Sequence, residues 1–304
     1  MKKLIFTAFI LSVVTSSFAQ GFYFRLGLGY AFPQAGQTLD GTGAPYSGSR
    51  TNSTYLQTYS VNSASFSAGF QGGLGLGYMF NEHVGVQLDA SVGLANKKYT
   101  FDDENVNLGS VQGSVTYIQQ AKSPVIFIPA LVLQTGGDPW NIYARVGLAV
   151  PISTKITEDQ VVAIPLSTGG LEIDDYTSQI KNSFSLGYSA AAGVHYKLND
   201  KVSIWGEVSL LSLSVYIKES DLTSVTSNGQ SVPLSQVNGT QTVKYSKKAT
   251  VDSNGAQEPT YSQPFSNVGI NFGIAFRLGD NSRSKSHGKR RDDDIDGTKP
   301  FRRR

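Results

Sequence analysis

The segment from Phe265 to Leu278 puts Val268, Ile270, Phe272, Ile274, Phe276 and Leu278 at even positions, with Ser266 the one polar member. Asn267, Gly269, Asn271, Gly273, Ala275 and Arg277 hold the odd ones. Side chains alternate across a strand, so the stretch has one oily face and one small or polar face. In a sheet that packs on a water-excluding core, the oily face points inward. In a sheet that spans a bilayer, it points out to lipid and the small face lines a lumen.

The pattern recurs seven times upstream. Strands are expected over about 22–32, 66–80, 84–94, 122–134, 140–150, 184–196 and 202–210, each two-faced except the fourth. Val125 to Leu133 is apolar on both faces and contains Pro129, which cannot donate to a ladder, so its register is not legible. Three connections are short: Asn81-Glu82-His83, Thr135 to Asp138, and Asn199-Asp200-Lys201. The other four are long and polar, and the two kinds alternate strictly along the chain. Short turns at one end, long loops at the other and an even strand number are the layout of a bacterial outer-membrane barrel. The last long connection, Ile217 to Gln263, carries Asn-Gly steps at Asn228, Asn238 and Asn254, which are hairpin signals. A ribbon projecting from the surface is expected there; if that hairpin entered the membrane, the strand count would be ten.

Composition agrees. Charged residues are 16% of the chain against about 25% in soluble domains. A net charge of +3 is too small to imply nucleic acid, and the absence of cysteine excludes disulfides and thiolate metal sites. Residues 1–19 read as a secretory signal: Lys2 and Lys3, the apolar run Leu4 to Val14, then Ser17-Phe18-Ala19 before the cut. No later stretch is apolar for the ~20 residues a spanning helix needs, so spanning falls to strands. Residues 20–279 form the expected barrel and 280–304 a disordered, charged periplasmic tail. In that tail Asp292, Asp294, Asp296 and Gly297 match half a calcium loop, but its closing position is Arg303 rather than Glu, so no metal is expected.

On these residues, over about 21–278, the chain resembles the small eight-stranded outer-membrane barrels, the OmpA/OmpX-like porin-family proteins. The fold expected is an all-β, antiparallel, up-and-down transmembrane barrel with long extracellular loops, in the outer membrane of a bacterium. Aromatics on the outer face, such as Phe22, Tyr78, Phe80, Trp140, Tyr196 and Phe276 at one end and Tyr30, Phe32, Phe66, Phe184 and Tyr188 at the other, are expected as interfacial girdles.

Four charges fall on inward positions of strands one, three, five and seven: Arg25, Asp89, Arg145 and Glu207. Their signs alternate and their depths are similar. Burial without a partner is costly, so a network across the lumen is expected, as a plug or as a gate. His195, with Ser185 or Ser189 on the same face, is the one candidate for nucleophilic chemistry. Gly27-Leu28-Gly29 and Gly72-Gly73-Leu74-Gly75 precede no helix, so they are strand-packing positions rather than phosphate loops. The reading is a non-enzymatic barrel in contact with outer-membrane lipid, without cofactor, whose loops meet any extracellular ligand. The alternatives are a narrow porin-like channel for small solutes and a lipid-modifying barrel enzyme.

Overall fold

The computed structural model describes residues 21–34, 48–52, 57–61, 63–107, 111–251 and 255–278. The signal expected at 1–19 and the tail expected at 280–304, with His287 and the half-match to a calcium loop, lie outside the described residues. Eight strands close into an antiparallel barrel: β1 (Phe22–Pro33), β2 (Gly69–Met79), β3 (Val84–Asn96), β4 (Val125–Gln134), β5 (Trp140–Ser153), β6 (Gly187–Lys197), β7 (Val202–Ser212) and β8 (Asn267–Leu278). Each pairs with its neighbours in sequence, and β8 returns to β1 with Phe22 opposite Leu278 and Pro33 opposite Asn267. Closure leaves no unpaired edge, the condition for strands to cross lipid.

The oily face points outward along the whole wall. Ile142, Val146, Phe272 and Ile270 are more than half exposed, whereas Arg25, Arg145 and Glu207 are buried. Rings cluster at both rims. Phe22 packs on Tyr78 (4.9 Å) and Trp140 on Tyr196 (4.6 Å) at the short-turn end; Tyr30 packs on Phe32 (4.8 Å) and Phe70 (5.0 Å) at the other. Two of the short turns share one device. The Asn81 Oδ1 accepts the backbone N–H of His83 (2.8 Å) and Val84 (2.7 Å), and the Asn199 Oδ1 accepts those of Lys201 and Val202 (both 2.9 Å).

The long connections are not irregular loops. They form an eleven-stranded sheet at the other end of the barrel. Its central strands are Tyr99–Asn107, Gln112–Ala121, Ile156–Pro165, Leu171–Asn182 and Ser214–Ser227, paired antiparallel in sequence-adjacent and loop-to-loop contacts. Of the three Asn-Gly steps, Asn228-Gly229 makes the hairpin turn, with φ of 50° and 77°, between Ser214–Ser227 and Gln230–Val232. Asn238 follows the short 3₁₀ turn Leu234–Gln236, just before a bend at Gly239, and Asn254 lies outside the described residues. The hairpin pairs with the external sheet rather than the barrel, so the strand count is eight.

This sheet has its own core, reversed in sense. Phe66, Phe101, Phe265, Ile156, Ile180, Leu213, Val215 and Ile217 are almost fully buried in one cluster. Phe66 therefore does not belong to the outer girdle. The chain turns at Phe66-Ser67, and β2 begins at Gly69 with φ of +119°, a conformation that favours glycine. That break shifts Phe66 off the alternation, so its ring meets Phe265 at 5.7 Å and Tyr99 at 5.8 Å instead of lipid. The same core explains β4. Ile126, Ile128 and Ala130 point inward into the cluster while Phe127, Leu131 and Leu133 point to lipid, so both faces must be apolar. Pro129 sits on the outward face, and the β4–β5 ladder skips its position, running from Phe127–Val150 to Ala130–Gly147.

Candidate functional site

Below the core, the lumen narrows around the four charges predicted from sequence. Arg25 on β1, Asp89 on β3, Arg145 on β5 and Glu207 on β7 meet in one layer. The Arg25 Nη2 donates to Glu207 Oε2 at 2.9 Å. Arg145 grips the same carboxylate from its other side, Nη2 to Oε1 at 2.5 Å and Nε to Oε2 at 3.2 Å, and its Nη1 reaches Asp89 Oδ2. Glu207 is thus bound by two guanidinium groups, with its side chain only 1% exposed. Two cations and two anions leave the layer neutral, which is what burial requires.

Neutral groups complete the set. The Tyr143 hydroxyl donates to Glu207 Oε2 (2.7 Å), the Gln87 amide to Asp89 (2.6 Å), and the Tyr23 hydroxyl to Gln87 Oε1 (2.6 Å). The Trp205 ring lies 3.7 Å from the Arg25 guanidinium, a cation–π contact. Toward the external side Asn271 donates to Ser209 Oγ (2.8 Å), and Ser91 donates to Gln71 (3.1 Å). Tyr23, Gln87, Tyr143, Trp205 and Asn271 were legible as inward positions but not as members of the site. The signal for them is their place beside the charges in the same alternation.

Strand register accommodates the four charges together with Tyr23, Gln87, Tyr143 and Trp205, all of which fall on odd-numbered strands. Reading across the wall, Arg25 and Asp89 flank Gly75, Tyr23 and Gln87 flank Gly77, and Tyr143 and Glu207 flank Gly193. In the fourth such row Gly273 stands between Trp205 and Gly27. A Cβ at Gly75 would lie 2.6 Å from Arg25 Cγ, and one at Gly193 would lie 2.7 Å from Glu207 Cβ. The even-numbered strands supply bare backbone so that long side chains from the odd ones can lie across them. Of the glycine-rich patches noted in the sequence, the one on β2 contributes Gly75 to this spacing, while on β1 Gly27 leaves room for the Trp205 ring and Gly29 for the Asn271 side chain.

His195 does not join a nucleophile. Ser189 lies six residues along the same strand, about 20 Å away at the usual strand rise, and Ser185 lies farther still. The imidazole instead packs on the Tyr143 ring at 4.5 Å. Among the described residues no group of three or more histidine and acidic side chains is placed to hold a metal ion. Between the ion layer and the core remains a cavity of about 80 Å³, lined by Gln71, Asp89, Ile126, Trp205, Glu207 and Asn271 among others. That is room for a few water molecules.

A closed eight-stranded barrel with lipid-facing apolar side chains and an ion-paired lumen defines a membrane β-barrel protein of the outer-membrane class. The profile of the outer membrane protein beta-barrel domain matches residues 4–231, and the chain belongs to that family. The protein is accordingly one of the bacterial outer membrane. Among solved structures it is similar to the outer membrane protein OprG from Pseudomonas aeruginosa, at 13% identity and a TM-score of 0.43, covering 86% of this chain and 97% of that one. It is also similar to Ail, the attachment invasion locus protein of Yersinia pestis, whose structure is a complex with the heparin analogue sucrose octasulfate. That match has 10% identity and a TM-score of 0.26, and covers 85% of this chain and 99% of that one. No curated protein matches the chain.

Proposed function

We propose that this protein is a non-conducting, non-enzymatic barrel whose role is to hold the external sheet at the cell surface, where that sheet meets any extracellular partner. The observation that carries the reading is the double closure of the lumen. The Arg25–Glu207–Arg145–Asp89 layer fills the middle, and the core around Ile126, Ile128 and Phe265 fills the external mouth. Eight strands enclose an interior that side chains can just fill, and the space left between the layer and the core has room for only a few water molecules. The investment of sequence lies outside the membrane, in eleven strands with their own core rather than in a pore.

A gated path through the charged layer is the second reading, favoured by the cavity directly above it, into which Gln71, Ser91 and Asn271 reach. Planar-bilayer recording on the purified full chain separates the two. The plugged reading expects no steady unit conductance at moderate voltage, and a large, stable open level would overturn it. The surface role is tested with cells displaying the protein, by binding to glycan and matrix-protein arrays before and after protease shaving of the external sheet; binding unchanged by shaving would count against it.

A further inference from the structure

A second cavity, of about 290 Å³, lies on the outside of the wall where β5 leaves the membrane. Its lining includes Lys155, Lys181, Lys218, Thr154, Asn182 and Glu219. The register makes the clustering specific. Ile156 pairs with Ile180, both buried inward, so one step further on Lys155 stands opposite Lys181 on the outward face. Lys181 pairs in turn with Glu219, beside Lys218 at a bulge. Like charges facing each other on a sheet are destabilising unless an anion lies beside them.

The protein's own carboxylates answer only one of the three lysines. The Lys181 Nζ donates to Glu219 (2.8 Å) and to Asp221 (2.6 Å), which hold its ammonium charged well above the usual lysine range. Lys155 and Lys218 are exposed and have no ion pair among the described residues. The Asn182 amide donates to Thr154 O at 2.5 Å, while its buried Oδ1 has no partner.

The height of the cavity selects the ligand. Ile152 lines it and is 61% exposed, and Phe184 and Tyr188, just below the external strand of Lys181, are exposed on the lipid-facing side. Basic groups next to the acyl region read the head groups of anionic lipid. Lys97, Lys98 and Lys122 stand within three residues of the external ends of β3 and β4, extending positive charge along the same half of the rim. We propose that this cleft is a docking site for a phosphate-bearing glycolipid head group of the outer leaflet. Lys155 and Lys218 neutralise the phosphate. The inference rests on the exterior of the wall and is independent of whether the lumen conducts.

The test uses the full chain in detergent micelles and native mass spectrometry, with bisphosphorylated lipid A, the same lipid stripped of phosphate, and inorganic phosphate as probes. The wild type should retain the phosphorylated lipid at least tenfold better than the stripped one, with inorganic phosphate failing to displace it at millimolar concentration. Lys155→Gln with Lys218→Gln should lose that preference, and Lys201→Gln at the opposite end should keep it. Unchanged heat-modifiable gel mobility shows that the variants are folded. Equal retention of both lipids by the wild type, full binding by the double variant, or displacement by inorganic phosphate would overturn the proposal.

Discussion

The barrel and the external sheet use the same alternation with opposite outcomes. In β8, Ile270 and Phe272 face out and Asn271 faces in; in the strand Ile156–Pro165, Ile156 faces in and Lys155 before it faces out. The barrel buries arginine and glutamate and exposes leucine, while the sheet buries phenylalanine and exposes lysine. The period of two is therefore silent about which face is wet. What decides it is the solvent around each region: acyl chains for the barrel, water for the sheet. The two meet in the mouth, where β4 and β7 hand Ile126, Ile128 and Leu211 to the core of the sheet.

The comparison breaks most sharply at Glu207. Glu207→Ala leaves two buried guanidinium groups without their shared carboxylate, which costs about 3–5 kcal/mol and should lower the urea midpoint of the unheated, folded gel band. Replacing Arg25, Glu207, Arg145 and Asp89 together by apolar residues of similar volume should cost far less, because no charge is then stranded. In the sheet the sensitive group is a ring instead. Phe66→Ala removes a fully buried side chain at a cost of about 3–5 kcal/mol. Its effect should be confined to the outside: faster protease cleavage of the external strands on whole cells, with the folded-band midpoint of the barrel nearly unchanged.

A smaller effect tests the glycine rows. Gly193→Leu would push a side chain between Tyr143 and Glu207, an overpacking worth about 1–3 kcal/mol, and should also appear in the folded-band midpoint. The smallest concerns acidity in the sheet. Gln119, itself fully buried, donates to Glu158, and burial pushes that carboxyl above the usual carboxylate range. A raised folded value means the native state holds its proton more tightly than the unfolded one. Stability from this group is therefore present below the unfolded value and lost as pH rises through the folded value. Glu158→Gln should slow protease cleavage of the sheet at pH 7 and make little difference at pH 4.

How much of this was legible follows from the same contrast. Seven of the eight barrel strands could be read because lipid demands an uninterrupted apolar face, and the three short turns followed from Asn81, Asn199 and Gly136-Gly137. The depth of Arg25, Asp89, Arg145 and Glu207 followed from counting along those strands. β4 could not be read because its inward residues belong to a core made by distant loops. The ribbon within Ile217–Gln263 is legible from its Asn-Gly step, but the strands of the earlier long connections are not, because their inward residues, such as Tyr99, Phe101 and Val115, are spaced among Thr, Asp and Gln that water tolerates on either face. The alternation misplaces Phe66 because one glycine at positive φ, Gly69, ends the pattern that Phe66 continues in the sequence.

The chain contains no cysteine, so single cysteines can be introduced one at a time along β8, from Asn267 to Leu278, and spin-labelled in a bilayer. Collision rates with molecular oxygen, which concentrates in lipid, should be high at Val268, Ile270, Phe272, Ile274 and Phe276 and low at Asn267, Gly269, Asn271, Gly273 and Ala275. A nickel chelate confined to water should give no compensating rise at the inward sites if the lumen is closed as proposed. A flat oxygen profile, or strong nickel contact at Gly273 and Asn271, would contradict a lipid-facing wall around a closed interior.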